Sequence, residues 1–151
     1  MFKLHEAIQL KHSRRELSLL LPAMAALRAA GQGSSLPSRS FRFEDLPARP
    51  SGPEGKNRAR PMLDGNTHTG YRIEMHQTEL APGMAPHPPH RHVHEELILV
   101  WQGTLEVTIS EQSATLGPGS AAYIASNEEH GWRNVGKTQA SYFVMTLRGS
   151  V

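Results

Sequence analysis

The chain has 151 residues, enough for one domain with a tail, and its 13 glycines and 11 prolines suit a turn-rich β protein better than a helical bundle. It contains no cysteine, which excludes disulfides and thiolate metal sites and leaves His, carboxylate and water as the ligands available to any metal. The formal charge of +2 is concentrated at the start, where Lys3, Lys11, Arg14, Arg15 and Arg28 oppose only Glu6 and Glu16. The remainder is slightly acidic, so no basic footprint exists there and nucleic acid is rejected as a partner.

Residues 1–31 read as an export signal. A polar, basic stretch leads into an apolar run over residues 17–27, followed by Arg28-Ala29-Ala30-Gly31. The apolar part is too short to span a membrane stably, and the small residues at its end suit cleavage. The run Ser13-Arg14-Arg15-Glu16-Leu17-Ser18 resembles the twin-arginine export motif, with Leu17 where Phe is commonest and no Lys shortly after. An exported, periplasmic protein is expected. The alternative is a retained amphipathic helix, which leaves the protein cytoplasmic.

Residues 32–61 read as a linker and N-terminal arm: small and polar to residue 40, a short strand or arm over 41–46, then a surface loop over 47–61 with four prolines. From residue 62 to 151 strand signals dominate. Residues 71–77 alternate apolar with polar, the period of a half-buried strand. Residues 96–101 form a continuous apolar run that stops at Gln102-Gly103. Residues 104–109 alternate again, so these two segments are expected to pair as a hairpin. Gly117-Pro118-Gly119 marks another turn before a strand over 121–125, and residues 140–147 close the set. Short strands punctuated by Gly and Pro predict an all-β sandwich or barrel rather than βαβ units.

Chemistry concentrates in one stretch, where His87, His90, His92 and His94 precede Glu96. In an extended chain, residues two apart point to the same side, so His90, His92, His94 and Glu96 share a face. Neutral imidazole and carboxylate are the ligands that borderline divalent metals prefer.

This stretch resembles the first sequence motif of the cupin superfamily: Gly83, then His90-Arg91-His92, Glu96 and Gly103, with six residues rather than five between Gly83 and His90. A second cupin motif is matched by Gly119, Ala125-Ser126-Asn127, His130 and Asn134. Its spacing is intact, but Ala125 replaces Pro and Asn127 replaces Gly. Asn is the next most tolerant residue of positive φ, so the turn is expected to survive. The resemblance implies a single-domain cupin, a double-stranded β-helix or jelly-roll barrel carrying an N-terminal leader or helix. It also implies that His90, His92, Glu96 and His130 hold one divalent transition metal (Mn, Fe, Ni, Co, Zn or Cu) on the inner face.

The other candidates are secondary. His94 is expected at the pocket rim and His87 outside the ligand set. His76 could line the cavity, but it parallels Arg72 and Glu74, which read as solvent-facing. Glu128 and Glu129 read as a charged surface turn, and Tyr123 and Trp132 as core. Phe143 and Met145 are expected in the apolar cavity wall, and the segment from Pro82 to Pro89 at its mouth. No Ser-His-Asp, Cys-His or phosphate-cradling glycine pattern is present. Three functions are weighed. The favoured one is a metalloenzyme of dioxygenase-, isomerase- or lyase-like type acting on a small oxygen-bearing or anionic molecule. The second is a metal-dependent binding or sensing module without turnover, and the third an interaction protein on a barrel scaffold. A homodimer is expected, paired through edge strands with help from the Phe41 arm.

Overall fold

Alternating side-chain burial along short extended segments builds two facing antiparallel sheets. The computed structural model describes residues 34–149; the expected export signal over residues 1–31 lies outside them. Nine strands are present among the described residues: β1 Arg49–Ser51, β2 Asn57–Asn66, β3 Arg72–Leu80, β4 Glu95–Gln102, β5 Leu105–Ile109, β6 Gln112–Leu116, β7 Ala121–Ile124, β8 His130–Asn134 and β9 Ala140–Arg148. One sheet has the order β1-β2-β3-β9-β4-β7 and the other β6-β5-β8. Among the described residues the only helical turns are the 3₁₀ turns Phe43–Asp45 and Pro53–Gly55, and no helix is long and apolar enough to cross a membrane. The all-β barrel expected from the strand signals is what forms.

Register decides which face is inside. Thr78 pairs with Tyr142 and Tyr142 with Val100, while His76, Val144 and Ile98 form the next row and Glu74, Thr146 and Glu96 the one after. These rows face the small sheet, whose inward side chains are Leu105, Val107 and Ile109 on β5 with Asn134, Trp132 and His130 opposite them on β8. Between the sheets lies one apolar core that includes Leu80, Ile98, Val100, Leu105, Val107, Ile124, Trp132, Tyr142 and Val144. Burying these side chains is the main favourable term holding the two sheets together.

Several expectations need correction. β4 and β5 are not a hairpin: β4 pairs with β7 and β9, and β5 with β6 and β8. The Gln102-Gly103 turn hands the chain from one sheet to the other. Gly103 has φ +82, and a Cβ there would lie 2.6 Å from Ala140 Cα, so this crossing requires glycine. The hairpin partner of β5 is β6, joined through Ser110 and Glu111, both at positive φ as a two-residue primed turn requires. The supposed loop over 47–61 contains β1 and half of β2. The 41–46 arm is a 3₁₀ turn whose Phe43 ring meets Trp101 edge-on at 5.0 Å and lies 4.8 Å under the Arg60 guanidinium.

Candidate metal centre

Three pieces of chain bring the polar cluster together. His90 and His130 face each other across an isolated antiparallel bridge, each N–H donating to the other's carbonyl at 3.0 Å. Such directly opposed residues put their side chains on one side of the ladder. Asn127 sits at φ +64, the left-handed turn expected of it, and its N–H donates to the His92 carbonyl at 2.8 Å. The turn of the second motif is thereby tied to the first. Glu96 enters from β4 on the inward row. Asn134, the last residue of the second motif, is structural: its buried amide donates to the carbonyls of Leu80 and Thr138 and accepts from the Gly136 N–H.

One nitrogen from each of His90, His92 and His130 lies within 4.8 Å of the others. Glu96 Oε2 is 3.0 Å from His130 Nε2 and 3.4 Å from His92 Nε2. The tautomers follow from the other ring nitrogens. His92 Nδ1 contacts the His94 carbonyl at 2.9 Å, and His130 Nδ1 contacts the Glu128 carbonyl at 2.9 Å. A carbonyl only accepts, so both Nδ1 atoms carry the proton and both Nε2 atoms present a lone pair inward.

Burial makes that arrangement expensive without a cation. Glu96 is 6% exposed and His130 1%. Glu96 Oε2, His130 Nε2 and His90 Nδ1 are all buried with no hydrogen-bond partner. A buried carboxylate oxygen and a lone pair 3.0 Å away repel unless a positive charge sits between or beside them. Three imidazoles and one carboxylate are also the donor set that suits a borderline divalent metal. The cluster therefore fits a metal chemically.

Burial pushes the His90 pKa below the ordinary imidazole value, and the neighbouring His87, His130 and His92 push it further. His94 is lowered first by burial and then by His92. A lowered folded-state pKa means that the unfolded chain binds more protons as pH falls through about 6.5. Stability from these groups is thus complete above that value and lost below it. Metal ligation by neutral imidazole runs in the same direction. Stability to urea measured across pH 8 to 5 is expected to decline below about 6.5; stability that is flat to pH 5 would contradict this.

The remaining candidates separate cleanly. His94 stacks on His92 with ring centroids 3.4 Å apart, so it buttresses that ring. His87 packs edge-on against His90 at 4.2 Å and Trp132 at 5.4 Å. Trp132 is core, as expected, whereas Tyr123 is 54% exposed. Glu129 pairs with Arg91 at the surface. Phe143 and Met145 do not line the cavity. They pair in register with Leu99 and Leu97 on the outward face, and Tyr142, Val144 and Thr146 take the inward positions.

His76 reverses in the opposite sense. It lies on the inward row beside Val144, held by Glu74 at 2.8 Å. Parity along β3 does not reveal the Glu74–His76 pair, because Arg72, on the same row, lies exposed at the end of the strand. A groove of about 380 Å³ lies beside β8 against the Pro-rich segment, lined by His87, Pro89, Glu106, Thr108, Trp132 and Arg133 among others; His90, His92 and Glu96 are not part of it.

Comparison with known proteins bears on the fold. Residues 76–146 match the family model described as Cupin domain. Among solved structures, the chain is similar to a predicted oxalate decarboxylase from Thermotoga maritima, with 18% identity over 73% of this chain and 99% of that one and a TM-score of 0.62. KdgF from Halomonas sp. gives 17% identity over 74% and 96%, TM-score 0.62. The polyketide cyclase RemF from Streptomyces resistomycificus gives 20% identity over 76% and 87%, TM-score 0.59. No match was found among curated proteins. At these identities the structural likeness carries the fold alone.

Proposed function

We propose that this chain is a cupin that binds one divalent transition metal through His90, His92, Glu96 and His130 and acts with it on a small oxygen-bearing molecule, a reading supported by the match of residues 76–146 to the Cupin domain model. The supporting observation is the buried, unpartnered trio of Glu96 Oε2, His130 Nε2 and His90 Nδ1. A buried carboxylate oxygen and an imidazole nitrogen left unpartnered 3.0 Å apart are costly unless a ligand joins them.

The chain's own residues define what such a site takes. Glu96 brings a single negative charge, so a divalent ion leaves the centre net positive and attractive to anionic, chelating oxygens. His92 and His130 are held in the ligating tautomer by the carbonyls of His94 and Glu128. When bound, a metal of this class polarises a carbonyl or enolate oxygen or lowers the pKa of a bound water. The neighbours' names span several chemistries (a polyketide cyclase, a predicted oxalate decarboxylase and a sugar phosphate isomerase). For this chain the reading is a metalloenzyme of dioxygenase-, isomerase- or lyase-like type. Export through the twin-arginine-like leader is part of the same reading, since that route carries proteins already folded around their metal.

The test is elemental analysis of protein purified without added metal, followed by a screen of small carboxylates and enolisable carbonyls for oxygen uptake or conversion. About one divalent transition metal per chain is expected. Protein that is correctly folded yet neither retains nor rebinds such a metal would overturn the proposal.

A further inference from the structure

One hydrogen-bonded pair inside the barrel has no part in the ligand set. The inward residues of β3 are Glu74, His76 and Thr78, each continued across β9 to β4. The deepest of these rows is closed, with Tyr142 0% and Thr78 4% exposed. Further along, the side chains of His76 and Glu74 are 28% and 34% exposed. The interior therefore opens to solvent on the side where this pair stands.

Glu74 shares its row with Glu96 of the metal cluster, with Thr146 of β9 between them. Two strand spacings, roughly 10 Å, separate their backbones, and both side chains enter that gap. Glu74 is also close enough to act electrostatically on His94, whose ring stacks on His92. Pair and cluster thus face one volume, of a size for a molecule of a few heavy atoms.

A hydrogen bond sets the chemistry of the pair. His76 Nδ1 lies 2.8 Å from Glu74 Oε1. An ionised carboxylate only accepts, so Nδ1 carries the ring proton, and in the neutral ring Nε2 keeps a lone pair. A base oriented by a third group in this way is the arrangement that proton abstraction needs. Among the described residues no Lys or Arg pairs with Glu74, since Arg72, of the same parity, pairs with Asp64 at 2.6 Å. The surface pairs of this protein differ. Arg91–Glu129 and Arg133–Glu106 use a permanent cation, and their arginines are 64% and 60% exposed, more than twice the exposure of His76.

We infer that His76, positioned by Glu74, is the proton-transfer base of the site, and that its substrate is a small 2-oxo acid with hydrogen on the carbon beside the keto group. This role rests on the proposed metal centre. A net positive centre draws the carboxylate, and the keto group makes the neighbouring C–H acidic. His76 Nε2 takes that proton: the C–H bond breaks, an N–H bond forms, and the C–H electron pair moves into the carbonyl to leave an enolate. Return of the proton from Nε2 to carbon restores the ring. No oxidant enters, so the pair selects isomerase- or lyase-like chemistry over the dioxygenase-like type.

Two measurements test this. In metal-free protein at about pH 8.5, where a free imidazole is neutral, proton–nitrogen NMR is expected to show His76 as the Nδ1–H tautomer, and Glu74→Leu to shift it toward Nε2–H. The second measurement uses protein carrying the divalent metal it retains, in deuterium oxide, with pyruvate and 2-oxoglutarate as probes and mass spectrometry as the readout. Wild type is expected to exchange the C3 hydrogens of at least one probe faster than a protein-free solution of the same metal. His76→Gln is expected to lower kcat for exchange about 100-fold, and Glu74→Gln roughly tenfold or more, with KM and metal content unchanged. Glu74→Asp should recover part of the rate lost in Glu74→Gln. If His76→Gln does not fold, His76→Asn serves in its place. Protein that holds no metal removes the metal reading and this inference with it. Metal-loaded wild type that exchanges neither probe, an Nε2–H tautomer in the wild type, or a folded His76 variant that exchanges at the wild-type rate overturns this inference alone.

Discussion

Replacing His92 with alanine is expected to lower bound divalent metal at least tenfold. The substitution removes one Nε2 lone pair aimed at the cluster and leaves Glu96 Oε2 with only His130 within 3.4 Å. Loss of a residue that merely orients a ligand commonly costs 10- to 100-fold in affinity, and loss of the ligand itself should cost no less. The fold should persist, because the inward rows of Leu80, Ile98, Tyr142 and Val144 do not rest on His92. His94→Ala is the matched control. Its ring stacks on His92, but the atom that holds the His92 tautomer is the His94 backbone carbonyl, which alanine keeps. Metal content near wild type is expected for that variant. Elemental analysis of the three proteins side by side decides the matter, and wild-type metal in His92→Ala would remove it from the ligand set.

Stripping the metal with a chelator is expected to lower the melting midpoint by on the order of 10 °C, reversibly on re-addition. The cause is the 6% exposed Glu96. Its Oε2 lacks a hydrogen-bond partner, and a buried carboxylate without a counter-charge destabilises the fold by several kcal/mol. A ligand present at a thousand times its dissociation constant contributes about 4 kcal/mol to the native state, and in a domain of this size each kcal/mol moves the midpoint by roughly 3–6 °C. Calorimetry before and after chelation provides the measurement. Identical midpoints would mean that Glu96 is satisfied without a metal, by sharing a proton with His130 or His92.

The sequence already groups His90, His92 and Glu96 by their two-residue spacing. Residues 91–94 lie outside the strands, however, so the bend at Val93-His94 before β4, and not a pleated repeat, brings His92 to Glu96. Asn127 was recognised as able to hold a left-handed turn, and it holds one. What parity along a single strand cannot say is which of its two faces becomes the inside. Phe143 and Met145 read as inward for being apolar yet lie outward, and His76 follows Arg72 and Glu74, which read as solvent-facing, yet lies on the inward row. Strand β6, Gln112–Leu116, gave no hydrophobic signal because it is largely exposed.

The order of residues by itself therefore determined local matters: where strands run, where turns demand Gly or Asn, and which polar side chains travel together. Tertiary structure alone decided the pairing of β4 with β9 and β7, the separation of β4 from β5, and the meeting of His130 with His90. Those outcomes rest on contacts between residues far apart in the chain. Whether a strand's outward side chain meets solvent or a core depends on what packs against it, a fact no local pattern contains.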